Sequence, residues 1–587
     1  YNRISNMQRL IRSRTGWLAI ALLVVMAAFV LRLFQLQILQ YGKYTELARA
    51  SQQRQFVIPA ERGKIYMMDG KTPVPVVLNQ AVYTVIADPQ SIDDKERSQL
   101  VDSLREIAGG EMTENVSERL NNKKSRYEVL AKNITRTQAE KLKKKNFAGV
   151  LYQQSSIRNY PEGQLGAHVL GFVNAAGEGQ YGVEGSLNKQ LKGRDGLLQS
   201  VTDVRNIPLT VGKNNMRIEA TSGDNLALTV DRNIQNQTEL ALKKGVEAAG
   251  ATEGSVIVMN PKNGQVLAMA NYPTYNPADF AKQKNGSVFM DSASMVPFEP
   301  GSVIKSFSFA TAIDKGVITP SSTYNNTDCI KVADRTMCNA LRGLGGPMTI
   351  QGAFNNSLNV GTITAIRKLG NGSQINLPAR QTLYEYYHDK FGFGAKTGIE
   401  LGEVSGYIYP PDSAEGNEVR YSALTYGQSM NLTMVQVAAG FSSLVNGGQY
   451  YKPTILVGTI DESGNLKSSE NKVIRQTVSG GTSSQMRTML MTARRSSFLS
   501  KSDKSGYEIG GKTSTSETVV NGAYTQKETI AVYIGYGGGK NGAEYVIMVR
   551  VAAPGRGINL QGNLHAGPIF TDISNWMIDY MKIAPKE

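Results

Sequence analysis

The first strong hydrophobic feature of the chain is an uncharged run near its N-terminus. Residues 15–31 carry no charge, and Leu33-Phe-Gln-Leu-Gln-Ile-Leu39 extends the apolar stretch beyond Arg32. Such a run is long enough to cross the hydrocarbon core of a membrane as one helix. We therefore predict a transmembrane anchor over residues 15–39. A cleaved signal peptide is the alternative, although no small-residue cleavage site follows the apolar core.

Arginines on one side of this run indicate its orientation. Residues 1–14 contain four arginines and no acidic residue (Arg3, Arg9, Arg12 and Arg14). Because basic residues stay on the cytoplasmic side of a membrane segment, residues 1–14 are predicted to be a cytoplasmic tail. Everything after about residue 40 is then exported.

Residues 40–225 are mostly polar, with short apolar runs between charged ones. The pattern predicts alternating strands and helices, at 57–58, 82–86, 92–107 and 135–145. Glycine-containing stretches at 62–66 and 160–185 predict turns between such elements. We expect this region to be an elongated, loop-rich pedestal domain.

From residue 226 to residue 587 the hydrophobic pattern is that of a mixed domain. It predicts a strand at 226–230, a helix at 233–246, a hairpin at 254–270, strands at 529–535 and 544–551, and a closing helix at 569–581. Strands from both ends of a domain imply one antiparallel sheet flanked by helices, with an all-helical part beside it. The predicted fold class is α+β and multidomain.

Composition narrows the chemistry. The formal net charge of +15 favours a polyanionic neighbour such as an anionic membrane or a charged cell wall, and we find no nucleic-acid-binding motif. The three histidines are scattered, and two cysteines, Cys329 and Cys338, are too few for a metal cluster. We expect neither a metal nor a cofactor. In an exported domain the two cysteines can form a small disulfide.

The candidate nucleophile is Ser302, in Glu-Pro-Gly-Ser302-Val-Ile-Lys305. The Pro-Gly pair predicts the start of a helix, and residues three apart share one face of a helix, so the Ser302 hydroxyl and the Lys305 amine should meet. A serine needs an adjacent base to act as a nucleophile, and a lysine serves as that base only when burial or a nearby cation lowers its pKa. The mostly apolar residues 306–315 supply the burial.

Two other Ser-x-x-Lys sequences lack this context. Ser186 and Lys189 lie in a glycine-rich polar stretch, and Ser469 and Lys472 lie in a charged run. Neither pair has an apolar helix behind it.

Two later stretches complete the predicted site. Asn-Asn-Ser357-Leu-Asn359 is a polar break between two helical stretches, where a loop can point small polar side chains into a cleft. Ile-Gly-Gly-Lys512-Thr-Ser-Thr515 places a cation on a strand of glycines and hydroxyls, as the open edge of a cleft would. Lys396-Thr-Gly398 is a similar triplet, but no pair of strands follows it, and we reject it.

The order of these elements, Ser-x-x-Lys followed by an SDN-like and a KTG-like element, marks penicillin-binding proteins and class A β-lactamases. The chain resembles a class B penicillin-binding protein over nearly everything after the anchor, with RGxI, YPxG…AHxLG…GxEG, NPxxGxxxAMA, EPGSxxK, SxN, GQ…T…Q and NGG motifs. The resemblance implies a dimerisation-type pedestal over residues 40–225 and a serine β-lactamase-like transpeptidase domain over residues 226–587. It also implies that the chain has no PASTA-type repeats and no glycosyltransferase domain.

The resemblance implies that the chain is a D,D-transpeptidase that cross-links peptidoglycan stem peptides in division or elongation. Ser302 would attack the carbonyl of the penultimate D-Ala, Lys305 would take its proton, and Ser357 would relay the proton to the leaving D-Ala. Asn359 would hold Lys305 and the substrate amide, and the charge of Lys512 would help to keep Lys305 neutral.

The same resemblance assigns the binding groups. The backbone N–H groups of Ser302 and Thr515 would form the oxyanion hole. The terminal carboxylate of the substrate would be bound by Lys512, Thr513 and Thr515. Ser514, in the same strand, is also assigned to the substrate-binding residues.

The implied partners follow from this assignment. They are stem peptides, β-lactams that acylate Ser302, the membrane through the anchor, a SEDS-family glycosyltransferase, and divisome or elongasome proteins, with no nucleic acid. The implied location is the bacterial cell membrane, with a single span and an extracytoplasmic catalytic domain.

Ser514 departs from the family pattern, because most relatives have glycine after Lys-Thr. Its side chain either faces away from the cleft or narrows it. Two alternatives stay open for this reason, a catalytically impaired wall-assembly scaffold and a low-affinity, β-lactam-resistant variant. A β-lactam sensor or lactamase would share the motifs but would lack the pedestal, and we cannot place the deacylating glutamate of a class A lactamase.

Overall fold

The computed structural model describes residues 14–45, 53–201, 216–520 and 523–586. The predicted tail lies outside these residues except for Arg14. The chain divides into two compact units, Tyr1–Glu61 with Gly193–Ser222, and Arg62–Lys192 with Gly223–Glu587.

The first unit contains the predicted anchor. The α-helix Arg14–Phe34 continues as a π-helical turn, Gln35–Leu39, and together they are long and apolar enough to cross a membrane. The predicted helix at 15–39 is confirmed. An antiparallel sheet completes the unit, with the strands Gln53–Ile58, Gly196–Val201 and Met216–Ile218.

A seven-stranded sheet in the second unit spans both sides of residue 226. Its strands run in the order Leu466–Ser468, Leu456–Ile460, Asn225–Asp231, Ile65–Asp69, Thr72–Ala87 and Glu128–Thr135, and Val150–Asn159 also pairs with Thr72–Ala87. The strand predicted at 226–230 forms, but it pairs in parallel with Ile65–Asp69 and does not join the central sheet of the predicted second domain. The predicted boundary therefore falls inside a sheet.

The helices between residues 62 and 192 cover part of this sheet. They are Arg97–Ala108, Val116–Asn121, Arg136–Lys144, Ala167–Leu170, Gly182–Ser186 and Asn188–Lys192. The two helices predicted from the sequence at 92–107 and 135–145 are both present, although the first begins only at Arg97.

A buried ion cluster joins the glycine-containing stretches that were predicted to be turns. Glu184 is fully buried, and its carboxylate accepts hydrogen bonds from Arg62 Nε and Arg158 Nε, each at 2.7 Å. Arg158 also donates to Asn79 Oδ1 at 2.6 Å. Because removing one partner of such a buried pair leaves an uncompensated charge, these motifs fix the tertiary structure as well as local turns.

A five-stranded antiparallel sheet forms the centre of the predicted second domain. Its strands run in the order Val266–Tyr272, Glu253–Met259, Gly542–Ala552, Ala523–Gly539 and Glu508–Val520. The predicted hairpin and the two predicted C-terminal strands are all part of it. The sheet is thus completed by N- and C-terminal pieces of the domain, as expected, and Glu508–Val520 is an edge strand.

Both faces of this sheet are covered, because successive residues of a strand point to opposite sides. Val256 and Val258 pack in a core with the helices Arg232–Ala248 and Gly567–Tyr580. Ile257 packs in the other core, which contains the helices between the two halves of the sheet. The second core therefore carries the all-helical part.

The remaining α-helices build that helical part, and short strand pairs and turns complete the second unit. The α-helices are Ser292–Met295, Lys305–Asp314, Ile350–Asn355, Asn359–Arg367, Leu377–Tyr384, Glu418–Leu424, Met434–Val445 and Gly480–Arg495. Two-stranded pieces pair Phe172–Val173 with Gly179–Gln180, Thr323–Asn326 with Gly346–Thr349, Cys329–Val332 with Arg335–Cys338, and Gln449–Tyr451 with Val473–Gln476. Short 3-10 or π segments are Gly109–Glu111, Pro277–Lys282, Gly286–Phe289, Gly301–Ile304, Glu385–Lys390, Phe498–Ser502 and Gly562–Ala566.

Candidate active site

Ser302 lies in a tight turn at the start of a buried helix. Gly301–Ile304 form a 3-10 turn, and the α-helix Lys305–Asp314 follows directly. The predicted helix start is confirmed, but its first turn is 3-10 and not α, as is common at helix ends. Residues 303–313 are all buried, whereas Ser302 is partly exposed. Ser302 is thus the residue of this segment that a ligand can reach.

Gly301 brings this turn close to the strand Glu508–Val520. Its φ of 62° lies in the left-handed region that favours glycine. A Cβ at this position would overlap the side-chain oxygens of Ser514 and Ser516. Only glycine therefore permits both the turn and the close approach.

Lys305 is fully buried three residues after Ser302. Its Nζ donates to the carbonyl oxygen of Ser357 at 2.5 Å and to Ser357 Oγ at 3.2 Å. Burial lowers the pKa of Lys305 well below its ordinary value, and the charge of Lys512 lowers it further. Both effects favour the uncharged amine. The two oxygens of Ser357 can accept hydrogen bonds from the two N–H groups of an uncharged amine. The lone pair of the nitrogen is then free to accept a proton.

Ser357 occupies the predicted polar break between two helices, Ile350–Asn355 and Asn359–Arg367. Its φ of 56° is uncommon for a residue with a Cβ. This conformation lets the carbonyl and hydroxyl oxygens of one residue face the same lysine.

Asn359 is held by a neighbouring hairpin. Its Nδ2 donates to the carbonyl oxygen of Cys338 at 2.9 Å, and the next residue, Val360, donates its backbone N–H to Asn339 Oδ1 at 2.9 Å. Cys338 forms a disulfide with Cys329, as their spacing allowed. The loop that carries Ser357 is therefore anchored to a covalently closed hairpin.

Two predicted contacts do not form in this structure. Among the described residues, no hydrogen bond joins Asn359 to Lys305, because the Asn359 amide bonds to Cys338 instead. Nor does a hydrogen bond join Ser302 Oγ to Lys305 Nζ within the described part of the chain. Catalytic hydrogen bonds are often long without substrate and tighten when it binds.

Lys512 lies on the edge strand and is almost completely buried. Its Nζ donates to the carbonyl oxygen of Thr513 at 3.2 Å and lies 5.8 Å from the centre of the Phe354 ring. Burial lowers the pKa of Lys512 to about 7. The lysine that was predicted to keep Lys305 neutral thus titrates near neutral pH itself.

The Ser514 side chain faces Ser302. Ser514 is only 2% exposed, and its Oγ accepts a hydrogen bond from the backbone N–H of Ser302 at 2.8 Å. Of the two orientations that the sequence left open, the side chain adopts the inward one. Thr515 is exposed, and its Oγ1 accepts from the Gly562 N–H at 3.1 Å.

The rejected motif matches lie in other environments. Lys396 is exposed, and the two residues after it are bound by Glu403, whose carboxylate accepts from the backbone N–H groups of Thr397 and Gly398. Ser186 and Ser469 are also exposed. Lys396 is therefore not a buried lysine like Lys512, and Ser186 and Ser469 lack the buried lysine that follows Ser302.

Two participants were not predicted, Ser516 and the carbonyl of Cys338. Ser516 lies on the same side of the strand as Ser514, and their Oγ atoms are 3.3 Å apart. The two-residue alternation of a strand could have indicated Ser516, because it places residues 512, 514 and 516 on one face. No sequence signal indicates a backbone carbonyl as the partner of Asn359.

Together these groups can transfer an acyl group. A partly exposed hydroxyl, a buried amine with a free lone pair and a second hydroxyl suit nucleophilic attack on a carbonyl with proton transfer. The edge strand can pair with an extended peptide, and its buried lysine can attract a carboxylate.

Two protein-family models match the chain. The model of the Penicillin binding protein transpeptidase domain matches residues 254–575, and that of the Penicillin-binding Protein dimerisation domain matches residues 57–228. The first match lies within the predicted second domain, and the second overlaps most of the predicted pedestal.

Curated relatives are similar along most of their length. Stage V sporulation protein D of Bacillus subtilis strain 168 is 27% identical over 592 residues, which cover 100% of this chain and 88% of the relative. Peptidoglycan D,D-transpeptidase FtsI of Escherichia coli strain K12 is 26% identical over 541 residues, which cover 90% of this chain and 85% of the relative.

Solved structures share the fold. Penicillin Binding Protein 2X from Streptococcus thermophilus has a TM-score of 0.72 at 22% identity, covering 90% of this chain and 80% of that one. Penicillin binding protein 3 of Mycobacterium tuberculosis, complexed with aztreonam, has a TM-score of 0.67 at 23% identity, covering 90% of this chain and 99% of that one.

Proposed function

Because the chain belongs to the class B penicillin-binding proteins and is a peptidoglycan D,D-transpeptidase of cell-wall synthesis, we propose that Ser302 is its nucleophile. The observation that carries this assignment is the pairing of fully buried Lys305 with both oxygens of Ser357. That pairing leaves the lysine lone pair free, next in the chain to a turn that exposes only Ser302.

The first half-reaction acylates the enzyme. Ser302 Oγ forms an ester bond to the carbonyl carbon of the penultimate D-Ala, and the amide bond to the terminal D-Ala breaks. Lys305 accepts the hydroxyl proton and passes it to Ser357, which gives its own hydroxyl proton to the leaving amine. In the second half-reaction an amine from another stem peptide attacks the ester carbon and forms the new amide bond as the bond to Ser302 Oγ breaks. Lys305 takes a proton from the incoming amine and returns it to Ser302. β-Lactams mimic the donor and acylate the same oxygen.

Binding groups surround this centre. The N–H groups of Ser302 and Thr515 are the proposed oxyanion donors, and each such donor contributes about 3–4 kcal/mol in serine hydrolases. Lys512 and Thr513 are proposed to bind the terminal carboxylate with Thr515. We propose that Asn359 holds the Ser357 loop, since its amide is bonded to Cys338.

Covalent labelling tests the assignment. The chain should take up one labelled penicillin per molecule, and peptide mapping should place the adduct on Ser302. A chain that takes up no label at a saturating dose would return the scaffold alternative to first place.

The charge of Lys512 should give acylation an alkaline limb. Its pKa is lowered to about 7, so Lys512 is a cation below that pH and neutral above it. Because the cation attracts the penicillin carboxylate, the second-order rate constant of acylation should fall as the pH rises through about 7. The measurement is that rate constant at pH values from about 5 to about 9, which lie on both sides of the lowered pKa of Lys512. Lys512→Arg stays charged and should lose this limb; a limb that persists in this variant would assign it to another group.

The anchor is proposed to leave the N-terminus in the cytoplasm and the remainder outside, because all four early arginines precede the helix Arg14–Phe34 or begin it. Protease added to intact spheroplasts should digest the chain after the anchor and spare an N-terminal tag. The opposite protection pattern would reverse the orientation.

We also propose that a SEDS-family glycosyltransferase and divisome or elongasome proteins act with the chain, since cross-linking consumes newly made strands. A glycosyltransferase of that family should co-purify from detergent-solubilised membranes with the full chain, and its absence there would remove it as a partner.

A further inference from the structure

The hydroxyl of Ser514 occupies a hydrogen-bond donor that the reaction needs. The Ser302 N–H donates to Ser514 Oγ at 2.8 Å. In the proposed mechanism the same N–H binds the carbonyl oxygen as negative charge develops on it. The N–H carries one hydrogen, so the Ser514 hydroxyl and the substrate oxygen compete for it.

The packing around this hydroxyl holds it in place. Ser514 is 2% exposed, and its Oγ is 3.3 Å from Ser516 Oγ, which can serve as its second hydrogen-bond partner. The two hydroxyls fill the space where a Cβ at Gly301 would lie. A buried hydroxyl with partners on both sides is costly to displace without replacement partners.

We propose that Ser514 is a gating residue: its hydroxyl occupies the Ser302 N–H in the resting enzyme, and every acyl donor displaces it before Ser302 is acylated. This inference rests on the proposed role of Ser302. It gives the departure from glycine a specific effect, since glycine at this position would leave the N–H free.

A competing hydroxyl and a narrowed cleft affect acylation differently. A competing hydroxyl acts at the one carbonyl oxygen that all donors share, so it slows all of them by the same factor. A narrowed cleft acts on the bulk of the donor and slows large donors more than small ones. If the hydroxyl slows acylation, Ser514→Ala is enough to restore the rate. If the bulk of the side chain slows acylation, only Ser514→Gly restores it.

Three variants separate these cases. Ser514→Ala and Ser514→Gly should both raise the second-order rate constant of acylation by roughly threefold to tenfold, the range expected for one ordinary hydrogen bond. The factor should be the same for penicillin and for a D-Ala thioester donor. Ser442→Ala removes a buried hydroxyl that donates to the carbonyl oxygen of Ala438 in its own helix, and it is the matched control, with a rate within about twofold of wild type. Thermal unfolding of each variant checks that it is folded.

A spectroscopic measurement tests the donor itself. A carbonyl that accepts a hydrogen bond absorbs at lower infrared frequency. A neutral ester carbonyl is a weaker acceptor than the developing oxyanion, so the Ser514 hydroxyl competes with it again for the N–H once the acyl enzyme has formed. The ester carbonyl of the penicilloyl enzyme should therefore absorb at lower frequency in Ser514→Ala than in the wild-type chain. A change in stability or in cleft width would not move this band.

Several results would overturn the inference. They are an unchanged rate in Ser514→Ala, a gain confined to Ser514→Gly, a factor that differs between the two donors, or an unshifted carbonyl band. Failure of the proposed function is distinguishable, because labelling would then be absent or independent of Ser302 in every variant. If only the Ser514 variants take up label, the gating hydroxyl is supported in its strongest form.

Discussion

Replacing Ser302 with alanine should abolish covalent labelling by penicillin. The Ser302 hydroxyl is the accessible oxygen of a turn whose next residues are all buried, and without it the site has no atom that can form the ester. Loss of the nucleophile in a serine protease lowers kcat by about 10⁶-fold. The measurement is the amount of labelled penicillin bound after a saturating exposure, for wild type and Ser302→Ala side by side.

The chain supplies its own controls for this experiment. Ser469→Ala and Ser186→Ala alter the other two Ser-x-x-Lys sequences, whose serines are exposed, and both variants should be labelled like wild type. The Ser302→Ala change removes one oxygen for which the described residues show no side-chain hydrogen bond, so the unfolding midpoint should stay the same. Label that persists in Ser302→Ala would place the nucleophile elsewhere.

Local hydrophobic patterns were sufficient to predict most of the central sheet. The hairpin at 254–270 and the strands at 529–535 and 544–551 are apolar runs bounded by turn residues, and each forms because both faces of the sheet are buried. The strand Asn225–Asp231 was also predicted, but its partner was not. It pairs with Ile65–Asp69, which is far away in the chain, and a pairing over such a distance leaves no periodic signal in either segment.

The candidate site also combines features that a local sequence pattern predicts with features that depend on residues far away in the chain. Ser302 and Lys305 are three residues apart, so the local pattern was enough to predict the helix start and the burial of the lysine, although the predicted contact between the two side chains does not form among the described residues. The inward orientation of Ser514 depends on how closely Gly301 approaches a strand more than 200 residues later, which spacing alone does not determine. The Asn359 amide bonds to a backbone carbonyl of a hairpin closed by a disulfide, and no local pattern in the sequence indicates that partner.

Replacing Lys305 with methionine should lower the second-order rate constant of acylation by about 10²–10⁴-fold, the usual contribution of a general base. Methionine fills similar space without an amine, so it removes the proton acceptor while keeping the helix packed. Because Ser357 loses its donor, stability should also fall, by about 1–3 kcal/mol. The measurement is the rate of penicillin acylation together with thermal unfolding. Lys315→Met alters an exposed lysine at the end of the same helix and should change neither quantity appreciably.

The pH profile distinguishes a base from a lysine that only supports the structure. Lys305 accepts a proton only when it is neutral, so acylation should fall as the pH drops through its lowered pKa. The charge of Lys512 contributes to that lowering. Lys512→Met should therefore raise the pKa of Lys305 and move the acid limb to higher pH, and it should weaken acylation below about pH 7, where Lys512 is charged in the wild-type chain. An acid limb that stays in place in Lys512→Met, or one that survives unchanged in Lys305→Met, would show that another group accepts the proton.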